Sequence, residues 1–523
     1  VYHRVKSFQE SNMILFSESH NGSRLLAGLL VLMALVAVPV QAQVWQVGMS
    51  ASGKLITAIG FQVDARERPT VVLIGGLDGQ AASSTKVKAE FDRYVARPAD
   101  RQPFNLILIA EANPDGEPLQ FPPTGRAYEA SPVAYSLWRW LGTHGPDLVL
   151  IESETDFELA DSLSNQIVAG VGYIPALHLY DEPEELGKIL EETTILPMSA
   201  AHEILNQRLL RSPMEFADQL AVYYGHDFSW PVYIPGMALI SRMRLGYLED
   251  VALVISPYLF GTRININSSL VTAGHLVFAE MAERTGDPAY LALAKQAADM
   301  GFDADGNMLE AMPMHGEMSD AYFMSTPLLA KVGKLTGETR YFDMAVRHIR
   351  YLEKLVHRSD GLYRHSPLTD AAWSRGNAFP ALGMALTLSE FPQDHPGFEE
   401  IHRIFKQHLD TLLDYQDLDG MWHEVIDYPG SFPELSATAM IATAMKRGME
   451  RGWLDDSYQP AVERAWRAIL LRSSPEGYFV NVCESTNKQD SLEAYLNREA
   501  LMGPDDRAGG MLMMFATEMA GLP

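Results

Sequence analysis

Arg284-Thr285-Gly286-Asp287-Pro288-Ala289-Tyr290 returns further along the chain as Leu335-Thr336-Gly337-Glu338-Thr339-Arg340-Tyr341. Each is a connection joining two helical patterns, and the patterns around them are rich in Met and Ala. A small or hydroxyl residue opens the first helix of every pair. The openings are Pro235-Gly236-Met237-Ala238, Thr272-Ala273-Gly274-His275, Ser319-Asp320-Ala321-Tyr322, Gly376-Asn377-Ala378-Phe379, Ser436-Ala437-Thr438-Ala439 and Ala508-Gly509-Gly510-Met511. Helical hairpins that recur about every 40–70 residues indicate a repeat architecture. Six inner helices, each with an outer partner, predict a closed all-α (α/α)6 barrel over residues 196–523, with an open α-solenoid as the alternative. Closure has to borrow an outer helix from near residues 200–224. Strand patterns are not expected beyond about residue 195.

Residues 43–195 have a different rhythm, so the chain reads as multidomain. The run 70–74 (TVVLI) is a buried strand that leads into Gly75-Gly76-Leu77-Asp78-Gly79. A second strand, 106–110 (LILIA), precedes the turn Asn113-Pro114-Asp115-Gly116, and 148–151 (LVLI) is a third. Strands alternating with helical patterns predict an α/β sheet. These words resemble the zinc carboxypeptidase fold, in which a strand enters a Gly-Gly-x-His-Gly-x-Glu loop and a later one ends in Asn-Pro-Asp-Gly. By that resemblance Asp78 stands at the first His, Ala81 at the Glu, and Ser153 or its neighbour at the second His. Zinc needs three protein donors and an open position. The resemblance therefore implies a metal-free relic used for packing or binding, and no cofactor is expected.

Residues 1–42 read as an export signal with an upstream extension. Arg24 precedes an apolar run, 25–38, and Pro39-Val40-Gln41-Ala42 supplies a small-residue cleavage site after Ala42. Met13 is the expected start. The run is short for a membrane span, and no integral span is expected after cleavage. A single cysteine, Cys483, excludes an intrachain disulfide framework. Together these point to a bacterial periplasmic or secreted protein. Of the 523 residues, 47% are hydrophobic and 21% charged, as in a folded globular chain. A formal charge of −26 argues against a nucleic-acid partner, which needs a concentrated positive surface. An anionic ligand is compatible if a few Arg and His residues converge. Nothing in the sequence specifies an oligomeric state.

In the barrel, polar residues at inner-helix N-termini are expected to face a pocket at one rim, where backbone N–H groups favour anions. Asp320 sits at such a start, with Met324 one turn on along the same face. From the residues alone, Asp320 is either a helix N-cap or a catalytic carboxylate. Gly361-Leu362-Tyr363-Arg364-His365 follows, then Trp373-Ser374-Arg375-Gly376-Asn377, Trp422-His423-Glu424-Val425 and Glu434-Leu435-Ser436. In order and spacing these words resemble the unsaturated glucuronyl and rhamnogalacturonyl hydrolases of glycoside hydrolase families 88 and 105, over roughly residues 230–523.

The resemblance implies an anionic oligosaccharide substrate bearing a 4,5-unsaturated uronic acid at its non-reducing end, and hydration of its vinyl ether. It assigns Asp320 as the general acid/base. It gives His365 and Arg375 to the substrate's carboxylate and hydroxyls, Trp373 to the sugar face, and Met324 and Asn377 to the substrate pocket. Read as ordinary structure, His365 is a solvated turn residue, Arg375 a partner of Glu434, and Trp373 core. The run 511–514 reads as inner-helix packing.

Three positions depart from the family pattern. Asn267, Ser268 and Ser269 occupy the place of a second Asp, Met318 that of a Trp, and Ala321 that of a Gly; His315 and Glu317 are nearby polar groups. A carbohydrate-binding or scaffolding protein with two degenerate enzyme domains is the competing function. A metallocarboxypeptidase is disfavoured by Asp78, Ala81 and Ser153.

Overall fold

The computed structural model describes residues 42–61, 68–180 and 185–522. The expected export segment falls outside these residues, apart from Ala42. Among the described residues no helix is long and apolar enough to cross a membrane.

The N-terminal part is a six-stranded mixed sheet. Its strands are β1 (Gln43–Met49), β2 (Leu55–Phe61), β3 (Thr70–Ile74), β4 (Asn105–Ile109), β5 (Leu148–Glu152) and β6 (Ala176–Leu179), in the spatial order β1-β2-β4-β3-β5-β6. Strands β3 to β6 pair in parallel, whereas β1 and β2 form an antiparallel edge. The three strands read from apolar runs are the three at the centre. Parallel strands covered on both faces read as continuous hydrophobic runs, and every residue of β4 is buried. Strand β2 alternates buried and exposed residues, a weaker signal that went unread.

Helices Pro132–His144 and Ala81–Val95 contribute buried residues to the two apolar clusters on the faces of this sheet. At the end of β3 and β5, Asp78 Oδ2 accepts a hydrogen bond from Glu154 N at 2.8 Å, and Ser153 Oγ lies 3.5 Å from His178 Nε2. The loops that carry the motifs therefore meet. Among the described residues no group of three or more His, Cys, Asp or Glu side chains is placed to hold a metal ion.

From residue 213 onward the chain is mainly helical, and six helices form a closed inner ring. In order they are Tyr233–Arg244, a broken helix (Ser269–Gly274 and Leu276–Thr285), Ala321–Thr336, Ser374–Glu390, Leu435–Glu450 and Asp506–Met519. Each packs on the next, and Asp506–Met519 returns to pack on Tyr233–Arg244. Helices Leu248–Leu259, Pro288–Ala298, Thr339–Val356, Phe398–Leu413 and Gln459–Arg472 lie outside. The sixth outer place, against Asp506–Met519, is taken by Pro213–Ala221, which enters from before the first inner helix. This is an (α/α)6 barrel, and the open solenoid is excluded by that closing contact.

Small residues let the inner helices approach. A Cβ on Gly383 would lie 2.7 Å from Phe323 N of the neighbouring helix, so only glycine fits there.

The expectation of no strands after residue 195 needs correction. Phe479–Cys483 and Ala500–Gly503 pair as an antiparallel ribbon, and Trp422–His423 pairs with Pro433–Glu434. Phe479–Cys483 is buried at every position, so it lacks the period-two alternation that betrays a strand in sequence.

Candidate active site

The inner helices run the same way, so their N-termini gather at one end of the ring. A cavity of about 410 Å³ opens there, lined by Tyr233, Ser268, Asp320, Met324, Trp373 and Arg507 among others. Asp320 occupies the N-cap position of Ala321–Thr336 without capping it. Its own backbone is helical, with φ −50° and ψ −30°, and its side chain accepts no hydrogen bond from the helix. Glu434 and Asp505 do cap their inner helices, accepting from Ala437 N and from Arg507 N and Ala508 N. The N-cap reading of Asp320 is thereby corrected: helical dihedrals at this residue remove the geometry a cap needs.

What turns the carboxylate into the cavity is the preceding loop, in which Ser319 N donates to His365 O at 2.9 Å. Oδ1 of Asp320 is sealed from solvent while the side chain as a whole keeps 14% exposure. The open face therefore belongs to the rest of the carboxyl group. His365 Nε2 lies 3.1 Å from that sealed Oδ1 but off the hydrogen-bond line, so both atoms are buried without a formed hydrogen bond. Ser319 Oγ, next door, is equally unpartnered. Asp320 is the one carboxyl group among the described residues lining the cavity.

The other expected residues divide into cavity wall and support. Met324 and Trp373 line the cavity. Trp373 is held from behind by Nε1–H donation to Glu424 Oε1 at 2.9 Å. Arg375 also lines it, but much of its fork is occupied. Nη1 donates to Cys483 O at 2.8 Å and Nη2 to Glu484 O at 2.7 Å, while Glu434 Oε1 stands 3.5 Å away. The guanidinium lies 4.7 Å from the Trp373 ring centroid.

His365 and Asn377 are fully buried and stand behind the wall. His365 Nδ1 meets Tyr495 Oη at 2.7 Å. Asn377 donates to Tyr363 O and Trp373 O and accepts from Tyr363 N, so it braces the loop that carries His365. His365 is thus not a solvated turn residue. His315 and Glu317 stay outside the cavity, whereas Asn267, Ser268 and Ser269 line it where a second Asp was sought. Glu317 pairs with Lys488 at 3.5 Å.

Beneath Trp373 lies a buried cluster of Glu424, Glu434, Arg375 and Cys483. Burial, reinforced by the neighbouring Glu434 carboxylate, pushes Glu424 up to about 8. Burial also raises the Cys483 thiol well above its ordinary value, with Glu424 adding to the effect. Near neutral pH Glu424 is therefore protonated beside the Arg375 guanidinium. Burial raises Tyr233, across the cavity from Asp320, to about 12.

Sequence reasoning missed Arg507, Tyr233 and the segment after Cys483, of which Ser485, Thr486 and Asn487 line the cavity. Arg507 was findable: it lies in the first turn of Asp506–Met519, immediately before the Ala508-Gly509-Gly510 opening. The segment 484–503 carries no periodic signal and reaches the site only through the fold.

Comparison with known proteins adds the lineage. Residues 261–522, half of the chain, match Glycosyl Hydrolase Family 88. The unsaturated rhamnogalacturonyl hydrolase YesR of Bacillus subtilis (strain 168) is 27% identical over 245 residues, 43% of this chain and 69% of that protein. An unsaturated 3S-rhamnoglycuronyl hydrolase of Formosa agariphila is 28% identical over 171 residues, and the match spans 29% of this chain and 45% of that relative. A family 105 glycoside hydrolase structure from C. acetobutylicum ATCC 824 shares the fold, with a TM-score of 0.51 at 16% identity over 59% of this chain and 99% of that one.

Proposed function

Because the chain belongs to Glycosyl Hydrolase Family 88, we propose that it hydrolyses 4,5-unsaturated uronyl residues at the non-reducing end of oligosaccharides left by polysaccharide lyases. The observation that carries this reading is Asp320. Among the described residues it is the single carboxyl group on a cavity of about 410 Å³, and it is held at a helix start that it does not cap. One carboxyl that gives and then takes a proton is enough for vinyl-ether hydration. Asp320 protonates C4, and the double-bond electrons form the new C–H bond while positive charge develops at C5 and the ring oxygen. Water adds at C5 as Asp320 takes back a proton, the hemiketal opens, and the neighbouring sugar leaves. Two carboxylates flanking an anomeric carbon, as direct glycoside displacement requires, are not needed.

The remaining wall suits an anionic sugar. Arg375 and Arg507 supply positive charge, Trp373 an apolar face, and the Ser268–Ser269 helix start polar donors. Export, expected from residues 24–42, belongs to the same proposal.

The test is to mix the purified full chain with lyase-digested polysaccharides and follow the ultraviolet absorbance of the unsaturated bond. Loss of that absorbance, with release of the adjoining sugar, is expected. Saturable binding with the absorbance intact would favour the competing carbohydrate-binding reading, which rests on Asn267, Ser268 and Ser269 in place of a second acid. Neither binding nor turnover across glycosaminoglycan, rhamnogalacturonan and algal digests would remove both.

A further inference from the structure

The segment 484–503 leaves the ribbon strand Phe479–Cys483, crosses the cavity rim and returns as Ala500–Gly503. Within it the short helix Leu492–Leu496 places Tyr495 against the back of His365, where the phenol is fully buried. Two groups meet its hydroxyl. Gln489 N–H donates to it at 3.0 Å, and His365 Nδ1 lies 2.7 Å away. A backbone N–H can only donate, so the phenol oxygen accepts there and its own proton is left for His365 Nδ1. A neutral imidazole that accepts at Nδ1 carries its hydrogen on Nε2, 3.1 Å from Asp320 Oδ1. The other tautomer would strand the phenol proton in a buried site and set a bare ring nitrogen against a carboxylate oxygen, and both are disfavoured.

We propose that Tyr495 is a positioning residue that locks His365 in the Nε2–H tautomer, keeping Oδ1 of Asp320 facing an N–H donor and the exchangeable proton on the oxygen that is not sealed. The proposal rests on the reading of Asp320 as general acid and adds the device that directs its proton. In the opposite tautomer His365 would compete for that proton at Oδ1, away from the substrate.

Among the described residues His365 Nε2 is the basic side-chain nitrogen within 4 Å of Asp320. The other titratable or charged groups that act on this chain of contacts are Tyr233, Arg375 and Arg507 across the cavity, Asp505 beside Arg507, Glu424 beneath Trp373, and Arg498 on the segment of Tyr495. Removing the phenol hydroxyl alters none of them.

The experiment labels the histidines of the full chain with ¹⁵N and reads the His365 ring nitrogens above pH 8, assigned by their loss in His365→Gln. In the wild type Nε2 is expected to carry the hydrogen, and in Tyr495→Phe that preference is expected to disappear. On an unsaturated uronyl disaccharide, Tyr495→Phe should lower kcat about 10- to 100-fold, with KM within about threefold and the acid limb of the rate profile displaced. A purely structural role would leave that limb in place. An Nδ1–H tautomer in the wild type, or a variant with wild-type kcat and pH profile, overturns the proposal. If Tyr495→Phe does not fold, the wild-type tautomer decides alone. If the wild type turns over no unsaturated uronide, the tautomer still decides the role of Tyr495 while the proposed function fails by itself.

Discussion

The two ends of the barrel are built from the same six helices and treat charge in opposite ways. At the C-terminal ends, charged side chains from the six helices line a cavity of about 490 Å³ and neutralise one another. Lys331 pairs with Glu280 at 3.1 Å, with Glu390 at 2.8 Å and with Glu283, and Lys334 joins Glu283 and Glu390 at 2.7 Å. Arg244 and Arg447 share Glu518. Burial would raise Glu280, yet Lys331, Arg244 and Arg284 bring it down to about 2. Cations there also meet the negative ends of the helix dipoles.

At the N-terminal ends the balance is left open. Ser319 Oγ, Asp320 Oδ1 and His365 Nε2 are buried without a formed hydrogen bond within one loop pair, beside a cavity with a single carboxyl group among the described residues. Buried polar groups without partners are costly, and their concentration at one end marks where stability gives way to chemistry. At one end the charges are paired with one another. The other is poised.

The sharpest way to break this contrast is Asp320→Asn. It keeps the side-chain size and removes the titratable proton. Asp320 makes no cap bond, so the melting temperature should move by less than about 2 °C. Turnover of an unsaturated uronyl disaccharide should fall by about 10³-fold or more, the upper part of the range for general acid catalysis. A variant that melts normally and keeps turnover within about threefold of wild type would remove Asp320 from the mechanism.

Lys331→Met probes the other end and should show the reverse pattern. It removes the cation that touches Glu280, Glu283 and Glu390 together, while Lys334 still bridges Glu283 and Glu390. Breaking a buried charge network in this way costs roughly 3–4 kcal/mol, read by chemical denaturation. Turnover per folded molecule should stay within about twofold, and a tenfold loss of kcat would mean that the two ends are coupled.

Glu424→Gln sharpens the comparison through pH. The folded value of about 8 lies above the ordinary 4.5, so across that window the native state holds a proton that the unfolded chain has released. Wild-type stability contributed by this group is complete below pH 4.5 and is lost as pH rises toward 8, by at most about 1.4 kcal/mol per unit. Glutamine has no such proton. Relative to wild type, the variant should therefore gain about 2–3 kcal/mol between pH 5 and pH 7, measured by denaturation at each pH. A pH-independent difference would place the charge of Glu424 elsewhere.

Much of this molecule was legible before its fold was known. The Gly, Ala and Ser openings and the two repeated connections specify inner helices that can approach closely and hairpins that must stack, because helix period and turn chemistry are local properties of the chain. Closure by Pro213–Ala221 followed from counting the helices. Asp320 stood out because it opens an inner helix. The central strands β3, β4 and β5 were legible because they are uniformly apolar.

What the chain could not disclose is who partners whom across long separations. Tyr495 lies 130 residues from His365, and Cys483 lies 108 from Arg375. No periodicity links them. Only ring closure brings the 484–503 segment over the cavity, where it occupies donors of the Arg375 fork with backbone carbonyls and sets Tyr495 behind His365. A side chain's chemical type is written in the sequence, but whether its hydrogen bonds are spent on the protein or left for a ligand is settled by packing, which sums contacts from every turn of the barrel.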